Sequence, residues 1–480
     1  MTTAPVVSSR PYRVFLANLN RYDQPYPVYP LGLAYIDGAL RAAGHETCVW
    51  DARMSAEPLE ASLAAFAPDL VGFSVRNVDN VQAHNPRSFI QELVQVCRGV
   101  RGVTTAPIVL GGSGFSVFPG EIFRLTGVDY GIAGEGERAV VELVEQLRQG
   151  RAPAAVPGVW RRGAGGAAEL VAPDVSFGVF RSEPHHEPAL LDAYVAQGAL
   201  PGVQTQRGCP LHCCYCTYPL IEGTRSRFRS GEETVAEMRR LARLGVKYVF
   251  IVDSVFNTRE DHVVQTCEAL IRAELDVQWE CFLRPRGLTR ELLQLMQRAG
   301  MRHVEFGSDS LSDPVLAAYG KSFRFDEIRR ASELAHGLGL RYSHFIIFGG
   351  PGETPATVEE TIARAQTLPA AYFFAAIGMR VYPHTPLWRT LAPERNGLEP
   401  ADYLLEPRFH LEAPFTVEGL MNRLREVQRT SSNWAVGDPP PVFAETMAKL
   451  RQRGVRGPMW EYAELLQRMA RGTAESGRRS

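Results

Sequence analysis

The chain has 480 residues, 45% of them apolar and 22% charged, with a formal net charge of −1. That is an ordinary globular composition, long enough for two or three domains at roughly 100–200 residues each. It excludes the basic footprint of a nucleic-acid binder, and no window reaches the ~20 apolar residues of a membrane span. Eight cysteines do not make the dense framework of a small secreted domain, and Met1–Arg13 lacks the apolar run of a signal peptide. A reducing cytoplasm is the expected compartment. Arg471–Ser480 is small and polar and is expected to fray.

Strand and helix signals alternate from Tyr12 to Gly150. Strands are predicted at Arg13–Ala17, Thr47–Val49, Leu70–Ser74, Pro107–Gly111 and Tyr130–Ala133. Helices are predicted at Leu31–Ala43, Leu59–Phe66, Arg87–Val100, from Glu121, and at Ala139–Leu147. Regular alternation with short apolar strands argues for a doubly wound, Rossmann-like parallel sheet, whose ligand sits at the carboxyl ends of the strands.

Those ends read Asn18-Leu19-Asn20, Ser74-Val75-Arg76-Asn77, Gly111-Gly112-Ser113-Gly114-Phe115 and Gly134-Glu135-Gly136-Glu137. Their glycines would let the backbone approach a large flat or phosphate-bearing ligand without Cβ clashes. No G-x-G-x-x-G follows the first strand, so a nicotinamide cofactor is disfavoured. With Pro30-Leu31-Gly32 opening the first helix, the pattern resembles the cobalamin-binding domain that precedes many radical S-adenosylmethionine (radical SAM) domains. The resemblance implies cobalamin contacts from Asn18, Ser74, Gly111, Gly112, Ser113, Gly114, Gly134, Glu135 and Gly136. The D-x-H-x-x-G signature is absent, so no histidine of the protein is expected on cobalt, and His84 reads as a surface loop residue. The Ser-Val-Arg-Asn segment is similar to one in the tryptophan 2-C-methyltransferase type, where an arginine lies under the cobalt. That implies a catalytic role for Arg76, disfavouring water on that face and favouring cobalt(I). The alternative is that Arg76 pairs with a corrin amide or with Asp79.

Periodicity breaks down from Arg151 to Pro201. A β-hairpin with a glycine-rich turn is expected from Gly158, and His185-His186 is expected in a solvated linker.

Alternation resumes from Gly202. After a strand at Val203–Thr205 come Cys209, Cys213 and Cys216, spaced C-x3-C-x2-C. Three thiolates on one loop can hold three irons of a [4Fe–4S] cube and leave the fourth open. A closed zinc site would need a second cysteine pair. Cys214 is off the spacing and reads as a packing residue. Gly202-Val-Gln-Thr-Gln-Arg-Gly208 before the loop and Tyr215 before its last cysteine complete a resemblance to the radical SAM superfamily. The open iron would then chelate S-adenosylmethionine (SAM), whose cleavage gives a 5′-deoxyadenosyl radical. Ser230 with Glu233 reads as a capping box opening a helix through Leu244. Further strands are predicted at Tyr248–Val252, Gln278–Leu283, His303–Phe306, Tyr342–Phe348 and Phe373–Val381, separated by helices. Six β/α units imply a partial barrel with its chemistry at the C-terminal mouth. Strand ends resembling radical SAM features suggest SAM contacts from Tyr215, Asp253, Arg284, Ser308, Asp309, Gly350 and Arg380. Past Pro386 the chain reads as mostly helical, with Val417–Ser431 and Val442–Gly454 amphipathic and Met459–Met469 a last helix; it is expected to cover the barrel mouth and shape the substrate pocket, with a pure packing extension as the alternative.

The division expected is 10–150 cobalamin-binding, 151–201 connector, 202–390 radical SAM barrel and 391–480 C-terminal helical region. The resemblance, to radical SAM proteins with a B12-binding domain, covers about residues 12–390. It implies a [4Fe–4S] cluster, SAM and cobalamin as cofactors, an external flavodoxin- or ferredoxin-type electron donor, and a small-molecule substrate. One SAM would methylate cobalt(I) to methylcobalamin and a second would generate the substrate radical that takes the methyl. If Arg76 lies under cobalt, polar transfer to an sp2 carbon is the variant. Radical cyclisation or rearrangement without methyl transfer is the alternative outcome, and a non-catalytic cobalamin sensor a third. Methylthiolation of tRNA is disfavoured by the absence of an extra N-terminal cysteine triad.

Overall fold

The computed structural model describes residues 10–462 except 25, 152, 154–155, 164–167, 172–181, 393–396, 438–445, 447–448 and 452. Most of the expected helix Val442–Gly454, the end of Met459–Met469, the hairpin turn and the expected frayed terminus lie outside the described residues.

Seven strands build the first sheet: β1 (Arg13–Asn18), β2 (Glu46–Asp51), β3 (Leu70–Ser74), β4 (Ile108–Gly111), β5 (Tyr130–Ile132), β6 (Val159–Arg162) and β7 (Ala168–Leu170). Their order is β2-β1-β3-β4-β5-β6-β7. The first five run parallel, with Val14–Asn18 against both Thr47–Asp51 and Leu70–Ser74. β1 is an apolar run because it is covered on both faces. The hairpin β6–β7 adds antiparallel to β5, so part of the expected connector belongs to this sheet and shields its edge.

The remaining strands are β8 (Gly202–Val203), β9 (Gln206–Arg207), β10 (Arg227–Phe228), β11 (Tyr248–Ile251), β12 (Gln278–Leu283), β13 (Met301–Asp309), β14 (Arg341–Phe348), β15 (Tyr372–Ile377), β16 (Met379–Arg380), β17 (Phe409–His410) and β18 (Trp434–Val436). A second seven-stranded sheet runs β18-β15-β14-β13-β12-β11-β8, all parallel. Sequential order is the winding of a barrel, and β8 and β18 leave it open. The Ser230 capping box forms as expected: the hydroxyl accepts from Glu233 N at 3.2 Å, and Glu233 Oε2 accepts from Ser230 N at 2.8 Å.

Three expectations need correction. The sixth strand does not run through Val381: it breaks at Gly378 (φ +71°), and β16 turns away to pair with β17. The mostly helical C-terminal region, which also lends β18 to the barrel sheet beside β15, does not all cover the mouth. Trp460 donates to Glu305 at 2.8 Å, Glu461 meets His303 at 3.0 Å, and the Trp460 ring stacks on Tyr372. His303 and Tyr372 lie at the starts of β13 and β15, so this turn plugs the barrel floor. Finally, His185 and His186 are not in a solvated linker. His186 is buried against Tyr29, and His185 Nδ1 lies 2.7 Å from buried Asp37.

The two sheets share a core. Phe115 and Phe118 of the first pack in one cluster with Tyr319, Met379, Val381 and Trp388 of the second half. Buried polar contacts reinforce the seam: Arg207 Nη2 lies 2.5 Å from Glu137, and Arg227 Nη1 lies 2.9 Å from Glu135.

Candidate functional site

A cavity of about 810 Å³ opens between the carboxyl ends of both sheets. Its volume lies within the usual range for cofactor sites of roughly 300–1,000 Å³. One wall comes from the first sheet: Ser74 and Arg76 after β3, Gly111 to Gly114 after β4, and Gly134 to Gly136 after β5. The other comes from Gly202, Tyr218, Phe250 and Phe282 of the second. Phe250, Phe282, Phe345 and Phe374 form a ladder across four strands, with neighbouring ring centroids 4.9, 5.9 and 4.7 Å apart.

The glycines after β4 have a cause inside the protein. Gly112 has φ +100°, and a Cβ there would lie 2.7 Å from Val75 O. A Cβ on Gly114 would lie 3.0 Å from Arg76 O. The turn therefore nests against the β3 loop, with Ser113 Oγ donating to Arg76 O at 3.0 Å, and this sets the cavity wall close to the sheet. A mostly apolar cavity of this volume, with glycine turns for one wall, has room for a corrin ring.

Arg76 projects into that cavity. Its Nη1 donates to Asn77 Oδ1 at 3.0 Å, and among the described residues it has no carboxylate partner. The pairing with Asp79 considered from the sequence does not occur. Asp79 is held instead by Arg380, at 2.9 Å. Desolvation draws the Arg76 guanidinium below its ordinary pKa, and Tyr26 and Tyr218 line the same cavity.

Several expected contacts are committed elsewhere. Asn18 lines the cavity, but its amide donates to Asp51 at 2.8 Å and Tyr194 at 3.2 Å. Glu135 faces Arg227 and Arg207. Arg380 makes four hydrogen bonds, to Asp79, Val381 O, Arg408 O and Tyr403 O, and so clamps the two halves together. Asp253 accepts from the backbone N–H groups of Thr205 and Gln206, and burial pushes its carboxyl up to about 7. Ser308 is fully buried against His344. Gly350 is fixed by Tyr319, whose hydroxyl accepts from its N–H at 3.1 Å. Strand-end position was legible in the sequence, but the direction of each side chain was not.

Arg284 remains open to a ligand. Its buried Nε has no partner among the described residues, and its charge feels Cys209. The hydroxyl of Ser254, beside Asp253, is likewise buried without a partner among the described residues. These unsatisfied donors suit the carboxylate and polar groups of SAM beside the cluster loop.

On that loop Cys209, Cys213 and Cys216 sense one another's charge. Burial pushes the Cys216 thiol up to about 12, so iron binding there must release a proton. Cys209, Cys213 and Cys216 are free thiols on one loop, and cysteines around an iron–sulfur cube each take a different iron, so the donor set fits a cluster. Cys214 turns away to Met379, with the sulfurs 3.5 Å apart. Tyr215 donates to Asp309 at 2.6 Å. Lys321 carried no sequence signal, yet it sits against Cys213 and Asp309.

Residues 203–365 match the Radical SAM superfamily, and residues 23–144 match the B12 binding domain. The chain is 25% identical over 452 residues to a tryptophan 2-C-methyltransferase of Streptomyces laurentii, covering 80% of this chain and 75% of that one. It is also 25% identical to an anaerobic magnesium-protoporphyrin IX monomethyl ester cyclase of Rubrivivax gelatinosus, over 70% of this chain and 62% of the other. Among solved structures, the radical SAM methyltransferase TsrM of Kitasatospora setae, with tryptophan and aza-SAM bound, gives a TM-score of 0.84 at 24% identity. That match covers 97% of this chain and 100% of TsrM, and it establishes the fold. No helix among the described residues is long and apolar enough to cross a membrane.

Proposed function

Because the chain belongs to the cobalamin-dependent radical SAM family, with a B12-binding domain ahead of a radical SAM domain, we propose that it is a C-methyltransferase moving a methyl group from SAM, by way of cobalamin, to a carbon of a small-molecule substrate. Its cofactors are a [4Fe–4S] cluster, SAM and cobalamin. The cluster with SAM supplies one-electron cleavage of a sulfonium, and cobalamin supplies a transferable methyl.

The observation that carries the reading is a cavity walled by both sheets, with an arginine on its first-sheet side that has no carboxylate partner among the described residues. Cys209, Cys213 and Cys216 would hold the cluster, and Arg284 would meet the SAM carboxylate beside it. The glycine turn at 111–114 would take the corrin edge, with Ser74, Gly134 and Gly136 beside it. Arg76 would face the cobalt and favour its electron-rich state through charge. Phe250 and Phe282 exclude water and offer flat faces to an aromatic or hydrocarbon substrate. The chain would divide into a cobalamin-binding unit at 10–150 that the β6–β7 hairpin extends, a connector within 151–201, a radical SAM barrel at 202–390 that β18 extends, and a C-terminal region at 391–480. A cytoplasmic setting, a specialised-metabolite substrate and an external flavodoxin- or ferredoxin-type donor belong to the same reading.

The test is anaerobic turnover with SAM, cobalamin, a low-potential reductant and candidate metabolites. S-adenosylhomocysteine together with a product heavier by one methylene is expected. An unmethylated, rearranged product would replace this reading with a cyclase or rearrangement enzyme, which the likeness to a cyclase keeps as the second reading.

A further inference from the structure

One short segment after β13 grips the cluster loop at three points. Cys214 N donates to Tyr319 O at 2.9 Å. Gly320, at φ +75°, packs so closely that a Cβ would lie 2.5 Å from His212 O. Lys321 Nζ donates to Gly307 O at 3.0 Å, pairs with Asp309 and lies 5.9 Å from the ring centroid of Tyr215 on the cluster loop, where its charge opposes the burial that raises the Cys213 thiol. Lys321 is one of only three lysines in the chain. Its side chain is 7% exposed and that of Asp309 4%. Asp309 in turn accepts from Tyr215 of the cluster loop, at 2.6 Å. It also stands at φ +63°, where the β13–β14 register shifts, a conformation an L-residue keeps only when its surroundings impose it.

We propose that Lys321 is a positioning residue that sets the reduction potential of the cluster through Cys213, with Asp309 holding it in place and moderating its charge. This rests on the assignment of a [4Fe–4S] cluster to Cys209, Cys213 and Cys216. Reduction adds one electron to the cluster and its thiolates, with no bond made or broken and no proton taken up. A buried ammonium beside a ligand sulfur stabilises the added negative charge and so raises the potential. The Asp309 carboxylate acts in the opposite sense. The pair therefore predicts shifts of opposite sign, which a merely structural role would not produce.

The experiment is an EPR-monitored titration with dithionite and mediators of anaerobically reconstituted full-length protein, without substrate. Lys321→Met should lower the reduced-to-oxidised ratio at a fixed poise about tenfold, a shift of about 59 mV for a one-electron couple. Asp309→Asn should shift it the other way, and Lys321→Arg should stay within about threefold of wild type. Equal midpoints for wild type and Lys321→Met, or shifts of one sign in both variants, would overturn the proposal. If Lys321→Met takes up no iron, Asp309→Asn decides: an upward shift supports the proposal, and an unchanged or lower potential overturns it. Wild-type protein that takes up no iron would end the cluster assignment itself, an outcome distinct from an iron-loaded protein whose potential ignores Lys321.

Discussion

Arg380 and Asp79 grip each other across 301 residues of sequence, guanidinium to carboxylate at 2.9 Å, both side chains almost wholly buried. This ion pair ties the end of β16 to the loop after β3. Removing one partner strands the other charge. Asp79→Ala should therefore cost about 3–5 kcal/mol, read as a drop in the denaturant midpoint at unchanged slope. An unchanged midpoint would show that the seam is held by apolar packing alone.

The same pair leaves Arg76 without a carboxylate partner among the described residues. Arg76→Ala removes charge and bulk from the cavity but none of its glycine turn. Cobalamin stoichiometry should stay near that of wild type while methyl transfer falls at least about tenfold, about 1.4 kcal/mol in the barrier. Equal loss of both would make Arg76 a binding residue.

Gly112→Ala forces a Cβ to within 2.7 Å of Val75 O at φ +100°. The backbone strain alone is about 1–3 kcal/mol. Thermal unfolding should move down by a few degrees, and cobalamin uptake should weaken because the turn that walls the cavity must shift. Gly99→Ala, on a helix away from the cavity with nothing within 4 Å of its Cβ, is the control expected to leave cobalamin uptake unchanged without lowering the melting temperature.

Replacing Cys209, Cys213 and Cys216 together by alanine should abolish iron and the absorbance near ~400 nm. Cys214→Ala should retain both, because its sulfur faces Met379. A Cys214 variant that loses iron would move the ligand set by one position.

Glu353 supplies a pH dependence. It is 2% exposed, and its carboxyl is pushed up to about 7 by burial. Between the unfolded value near ~4.3 and the folded one the native state holds the extra proton. Its contribution is therefore fully present below about pH 4 and is lost as pH rises through about 7, at up to about 1.4 kcal/mol per unit. Asp253 and Glu305 carry the same sign. Melting temperatures should fall from pH 5 to pH 8, and Glu353→Gln should flatten that slope. Steepening would reverse the assignment.

The parts legible in the sequence are those written locally. The cysteine spacing, the Ser230 capping box and the apolar strand runs each depend on neighbours a few residues away. Asp253, Ser308 and Arg380 stand at strand ends as expected, yet each faces a partner that only the folded chain brings near: Thr205, His344 and Asp79. Lys321 reaches Cys213 after a helix and a turn, and β18 pairs with β15 across some sixty residues, as Trp434 beside Phe373 shows. Nothing in either segment's own pattern announces such pairings.

The tryptophan that seals the barrel floor follows Glu305 by 155 residues. At a translation rate of roughly 5–20 residues per second, the nascent barrel waits roughly 8–30 s for its lowest layer to be roofed over. During that interval the Glu305 carboxyl and, once made, the ring of Tyr372 meet water or a chaperone. Slow codons or an early stop between these positions would therefore act on solubility before they act on chemistry.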